Sequence, residues 1–96
     1  MLVVGVCQVE LSLHGNGSLK GKRAVVRRVI DRTRHRFRVS IAEVDANDVL
    51  DTAVIGFAVV GNSARLINSR IDRIVGFIDE LGEAPVTHHD FEILQY

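Results

Sequence analysis

Apolar and polar residues alternate along the first strand-length of the chain. Val3, Gly5, Cys7, Val9, Leu11 and Leu13 share one face, and Gln8, Glu10 and Ser12 take the other. A period of two predicts a strand with one buried face over residues 2–13. His14-Gly15-Asn16-Gly17 is turn chemistry, and Ser18 stands where a helix N-cap is needed. From Leu19 the period changes: Leu19, Val26, Val29, Ile30, Thr33 and Phe37 fall on one stripe at helical spacing, which predicts a helix over 19–36. Residues 38–45 read as a β-branched strand, 46–51 as an acidic turn and 52–61 as a second apolar strand. Asn62 or Ser63 can cap a second helix with the stripe Ile67, Ile71, Ile74, Val75, Ile78 and Leu81, stopped by Gly82. Pro85 precedes the last strand, 86–94.

The predicted order is β-α-β-β-α-β, and both helical stripes are buried most simply against one face of a single sheet. The expected fold is therefore α+β and ferredoxin-like, one domain over residues 1–96. Its sheet is four-stranded and antiparallel, in strand order 4-1-3-2, with two helices on one face. The other sheet face then has no cover. Its outward positions include Val4, Val6, Val54, Ala58 and Val60, and small apolar side chains facing water predict self-association through that face, with edge-strand pairing as the rival route.

Composition narrows the classes. No stretch approaches the roughly 18 apolar residues of a membrane span. The apolar start has no basic lead and runs into Gln8 and Glu10, unlike an export signal. A single cysteine makes neither an internal disulfide nor a thiolate zinc site. A cytoplasmic protein without a membrane partner is the expectation.

Charge changes the picture most. The chain is neutral overall, with 12 Lys and Arg against 12 Asp and Glu, yet nine of those cations lie between Lys20 and Arg38 with only Asp31 opposing them. On a helical wheel Lys20, Arg23, Arg27 and Arg34 form one flank, and Arg28, Arg32, His35 and Arg36 the other. Like charges at i,i+4, such as Arg28, Arg32 and Arg36, repel by a few tenths of a kcal/mol each, so an ordinary solvated face mixes signs. Clustered charge in a neutral chain is the footprint of a polyanion site. The predicted phosphate-binding set is Ser18, Lys20, Lys22, Arg23, Arg27, Arg28, Arg32 and Arg36, with Ser18 and the Gly15-Asn16-Gly17 loop at the positive end of the helix dipole. The structural alternatives are pairing of these cations with carboxylates of the sheet or of a second subunit, and for the loop a tight turn with a serine cap.

Three blocks together are familiar: Ser18-Leu19-Lys20-x-Lys22-Arg23, Arg36-Phe37-x-Val39-Ser40-Ile41-Ala42-Glu43-Val44-Asp45, and Glu92-Ile93-Leu94. With their spacing they resemble the YlxP-like family of small bacterial proteins, domain of unknown function 503, over nearly the whole chain. The resemblance implies a ferredoxin-like fold and genes that often sit among translation and ribosome-maturation genes; it implies no established activity. The chain departs from the family pattern at Gly21, where an acid is usual. An acid there would complete a capping box, so Gly21 predicts a more positive and frayed helix start.

Other motifs carry less. Gly56-Phe57-Ala58-Val59-Val60 resembles the Gly-Phe-Ala-Phe-Val signature of the RNA recognition motif, but Val59 replaces the second aromatic and the first strand offers Val4, Val6 and Gln8 where a ring would stack. Phe57 is expected in the core with Ile55 and Val59. Glu43 and Asp45 are expected on one face of one edge strand, and His88 and His89 on the other edge with rings to opposite faces. Two central strands would separate these groups, so no metal is expected. An acylphosphatase-like enzyme would need an Arg-bearing phosphate loop after the first strand, where this chain has His14 and Asn16. The sequence therefore predicts a non-enzymatic RNA- or ribosome-associated protein without a cofactor and with a homo-oligomeric state. The alternatives are a protein interaction module for a second copy or an acidic protein, and behind it a small phosphate-ligand enzyme.

Overall fold

The computed structural model describes residues 1–96. Strands β1 (Val3–Ser12), β2 (Ser40–Asp45), β3 (Thr52–Gly61) and β4 (Val86–Gln95) and helices α1 (Leu19–Phe37) and α2 (Ala64–Glu80) follow in the order β1-α1-β2-β3-α2-β4. The sheet runs β2-β3-β1-β4 with every neighbour antiparallel, which is the ferredoxin-like arrangement the period switches predict. No helix is long and apolar enough to cross a membrane.

The alternating strand pattern becomes a two-faced sheet. Val3, Cys7, Val9 and Leu11 of β1 and Ala53, Ile55, Phe57 and Val59 of β3 are buried beneath the helices, where they meet Val26 and Val29 of α1 and Ile67, Ile71, Ile74 and Ile78 of α2. Helix α2 comes so near β1 that a Cβ on Gly5 would lie 2.5 Å from Ile67 Cγ2 and 2.8 Å from Ile71 Cδ1. The helices meet edge to face through Phe37 and Phe77, ring centroids 5.3 Å apart. Arg70 Nη2 donates to Phe37 O at 2.7 Å, placing a cation on an orphan carbonyl at the negative end of α1.

Local chemistry sets the ends. Ser18 and Ser63 cap α1 and α2 by accepting from Gly21 N and Leu66 N. Helix α1 runs one residue past the predicted end, and Arg38 is not the first residue of β2. It adopts the left-handed conformation, φ 56°, and its N–H closes on Arg34 O at 2.7 Å, an αL helix cap. The predicted frayed start of α1 is also corrected. Asn16 Nδ2 donates to Ser18 O at 2.8 Å and to Leu50 O at 2.9 Å, tying the loop, the helix cap and the β2–β3 turn together. A Cβ on residue 21 would fall 2.5 Å from Asn16 Oδ1, so Gly21 is what lets Asn16 sit there.

A second correction concerns β2. The register pairs Glu43 with Ile55 and Asp45 with Val54, with an irregularity between them. The extra residue, Val44, shifts the alternation by one. Glu43 therefore faces the helices and Asp45 the open side, rather than both sharing a face.

Candidate functional site

Helix α1 presents its cations to three different surroundings. Lys22 belongs with the core: it is 1% exposed, and its ammonium donates to Ala46 O and, at 2.7 Å, to Val49 O. Glu43 Oε2 lies 3.3 Å away with no donor directed at it, so the attraction there is between charges while the ammonium protons serve the carbonyls. Lys22 pins the β2–β3 turn to α1 and is withdrawn from any phosphate. The expectation that it binds one is corrected by its place on the inward stripe, between Leu19 and Val26 at i,i+3 and i,i+4.

The flank that faces the α2–β4 connection is partly neutralised. Arg28 Nε donates to Glu83 Oε1 at 2.9 Å, and Arg32 Nη1 stands 3.9 Å from Glu83 Oε2. Both arginines keep about half of their side-chain surface in water, so one carboxylate in high dielectric leaves net positive charge there. Arg36 ends this flank with its guanidinium carbon 5.4 Å from the Phe37 ring centre.

The other flank is where α1 borders β2. Lys20, Arg23 and Arg27 are exposed, and none has a carboxylate oxygen within 4.0 Å. Their spacing of three and four residues makes a ridge roughly 10 Å long at the ordinary helical rise. Arg34 continues the row but turns to the sheet edge: Nη2 donates to Ile41 O at 3.0 Å and Nη1 lies 3.7 Å from Asp31 Oδ1. Ser18, the remaining member of the predicted set, lies at the head of α1 with its hydroxyl oxygen already accepting from Gly21 N. Of the eight predicted residues, the structure thus brings Lys20, Arg23 and Arg27 together, holds Arg28 and Arg32 around Glu83 with Arg36 beyond them, and sets Lys22 apart.

The uncovered sheet face has the opposite character. Ser40, Ala42 and Val44 of β2, Gly56 and Ala58 of β3, Val6 and Gln8 of β1, and Asp90 and Glu92 of β4 line an open groove of about 790 Å³. Its acids alternate on β4 at a period of two, a signal the sequence carries in Asp90-Phe91-Glu92 but that acquires meaning only beside the groove. Phe57 is buried on the helical side, as expected, at 4% exposure. Phe91 is 45% exposed and borders the groove, but its register with Cys7 puts it on the helical side of the edge strand. His88 Nε2 lies 3.1 Å from Asp90 Oδ2 on the open side, and His89 pairs with buried Val9 on the other. Buried Cys7 has its thiol pushed up to about 11, first by burial and then by the negative charges of Asp90 and Asp72.

Known proteins place this architecture. The chain is 33% identical over 81 residues, 84% of its own length and 88% of the relative's, to the uncharacterized protein YlxP of Bacillus subtilis (strain 168). In backbone it is similar to the de novo designed protein Foldit4, with a TM-score of 0.59 at 11% identity over 100% of this chain and 99% of the other. That likeness concerns the fold alone. The model of the family described as "Protein of unknown function (DUF503)" matches residues 4–91, and the chain belongs to that family.

Proposed function

We propose that this protein binds RNA through its phosphates along α1 and catalyses no reaction. The observation that supports this reading is the ridge of Lys20, Arg23 and Arg27, three exposed cations without a carboxylate partner in a chain of zero net charge. Arg28, Arg32 and Arg36 on the far flank widen the positive field, while Arg34 spends one donor on the β2 edge. A convex, ring-free helix has no access to the deep, narrow major groove of A-form RNA, so the contacts are to phosphates and 2′-hydroxyls and recognise shape more than bases. Cytosolic RNA, and a ribosomal subunit in particular, is the partner this reading names.

The test compares binding of two unrelated structured RNAs, and co-sedimentation with ribosomal subunits, for the parent chain and for Arg23→Glu/Arg27→Glu. The double variant is expected to lose about tenfold or more for both RNAs alike, as backbone contacts predict. Its thermal transition is expected to stay in place, because both side chains are in water. Equal binding by parent and variant, or none by the parent, would show that the ridge serves another partner.

A further inference from the structure

The groove on the open sheet face carries its own charge pattern, independent of the RNA reading. In the paired register, Glu92, Val6, Ala58 and Ser40 form one row across the four strands, and Asp90, Gln8, Gly56 and Ala42 form the next. Both rows end in a carboxylate at the β4 side. At the β2 side they end beside Arg34, whose guanidinium hooks the strand edge at Ile41 O, between the two rows, and remains half in water. Along these two rows the face is thus negative at the β4 edge and positive at the β2 edge, with Val6 and Val60 of the middle strands 38% and 61% exposed and Val44 of β2 50% exposed; the row beyond them carries His88, Glu10, Val54 and Asp45.

We propose that this face binds a second copy of the chain about a two-fold axis lying parallel to the strands, between β1 and β3. That rotation keeps each row at its own height and exchanges the two edges. Asp90 and Glu92 of one copy come over β2 of the other, alongside its Arg34, and the same pair forms again by symmetry. In the middle, Val6 falls over Ala58, a larger side chain over a smaller one, as interdigitating sheet faces require, and Gln8 falls over Gly56, where it meets the Val44 side chain that covers that glycine. A two-fold axis across the strands would set β4 against β4 and place four carboxylates together. Edge-to-edge pairing is opposed by the charged residues along β4 and by Arg34 on the outer carbonyl of β2. The contact is isologous and closes at two copies.

Sedimentation velocity of the full chain at micromolar concentration reads this directly. The parent is expected as a dimer. Asp90→Arg/Glu92→Arg, which alters only exposed side chains, is expected to raise the dissociation constant about tenfold or more, because it turns an opposite-charge edge into a like-charge one. Adding Arg34→Glu to that variant restores opposite signs across the interface and is expected to recover most of the loss. A monomeric parent overturns the proposal, as does a dimer that the carboxylate reversals leave unweakened. If the triple variant stays dissociated while its circular dichroism remains native, the pairing of edges proposed here is wrong. If Arg34→Glu unfolds the chain, Val6→Glu at the centre of the face supplies the second arm, and a dimer unaffected by it contradicts the proposal.

Discussion

Lys22 and Glu43 hold charge where a small core has little room for it, and that makes them the most informative single residues. Replacing Lys22 with Met removes the donor for two carbonyls and strands a part-buried carboxylate, a loss of about 3–5 kcal/mol in urea unfolding. Adding Glu43→Gln is expected to return part of it, since the stranded charge is then gone; an additive pair would show that the two do not communicate. Thr33 presents the converse case, its hydroxyl buried without a partner. Thr33→Val is expected to be neutral or stabilising by about 1 kcal/mol. Cys7 sets a pH dependence. Its thiol is raised from 9.0 to about 11 in the folded chain, so the folded state keeps the proton where the unfolded state has lost it. The associated stability is intact below pH 9.0 and lost as pH rises through about 11. Alkylation of Cys7 at pH 8 is accordingly expected only at the rate of opening. The burial of Cys7 and Thr33 was legible in the strand alternation and the helical stripe, but the missing partner of Thr33 and the acids near Cys7 were not. Lys22 had a local signal too, because it completes the stripe 19, 22, 26, 29, 33, but a positive residue among apolar ones reads as exposed until its carbonyl acceptors 24 and 27 residues away are seen.

At the scale of elements, periodicity was enough wherever one face is buried. Strand β3 occupies the predicted span because its alternation is unbroken, and α2 because its isoleucine stripe is regular and Ser63 caps it. Legibility fails where geometry departs from the repeat. Arg38 looks like strand but ends a helix in αL, Val44 inserts a residue that sends Glu43 and Asp45 to opposite faces, and Gly21 looks like a missing cap acid. Gly21 supplies a prediction of its own. Alanine in the first turn of a helix ordinarily gains about 1 kcal/mol over glycine, but here its methyl group displaces Asn16 from Ser18 O and Leu50 O. Gly21→Ala is therefore expected to show no gain in thermal unfolding, and an increase of the full propensity value would mean that Asn16 contributes nothing. The positive helix itself was legible from spacing. Which of its flanks stays free was not, because Glu83 is 55 residues from Arg28 and reaches it only once α2 has turned the chain back.

In the whole molecule charge is divided unevenly between the layers. Cations project from the helical side, most densely along α1, while α2 also carries Asp72, Asp79 and Glu80, and Glu10, Asp45, Asp90 and Glu92 stand on the open face of the sheet, so a chain of zero net charge still presents a basic helix. A dimer formed through the open faces would cover the carboxylates of β4 and leave two basic helices pointing outward, which suits an extended polyanion. The central claim is that α1 engages phosphates, and the salt dependence of RNA binding tests it most directly. With the three cations of the ridge and at most Arg34 beside them on phosphates, log affinity is expected to fall linearly with log salt at a slope of roughly −2 to −3.5, and Arg23→Glu/Arg27→Glu should flatten it by about 1.5. A slope near zero, or one the double variant leaves unchanged, would contradict phosphate binding by α1.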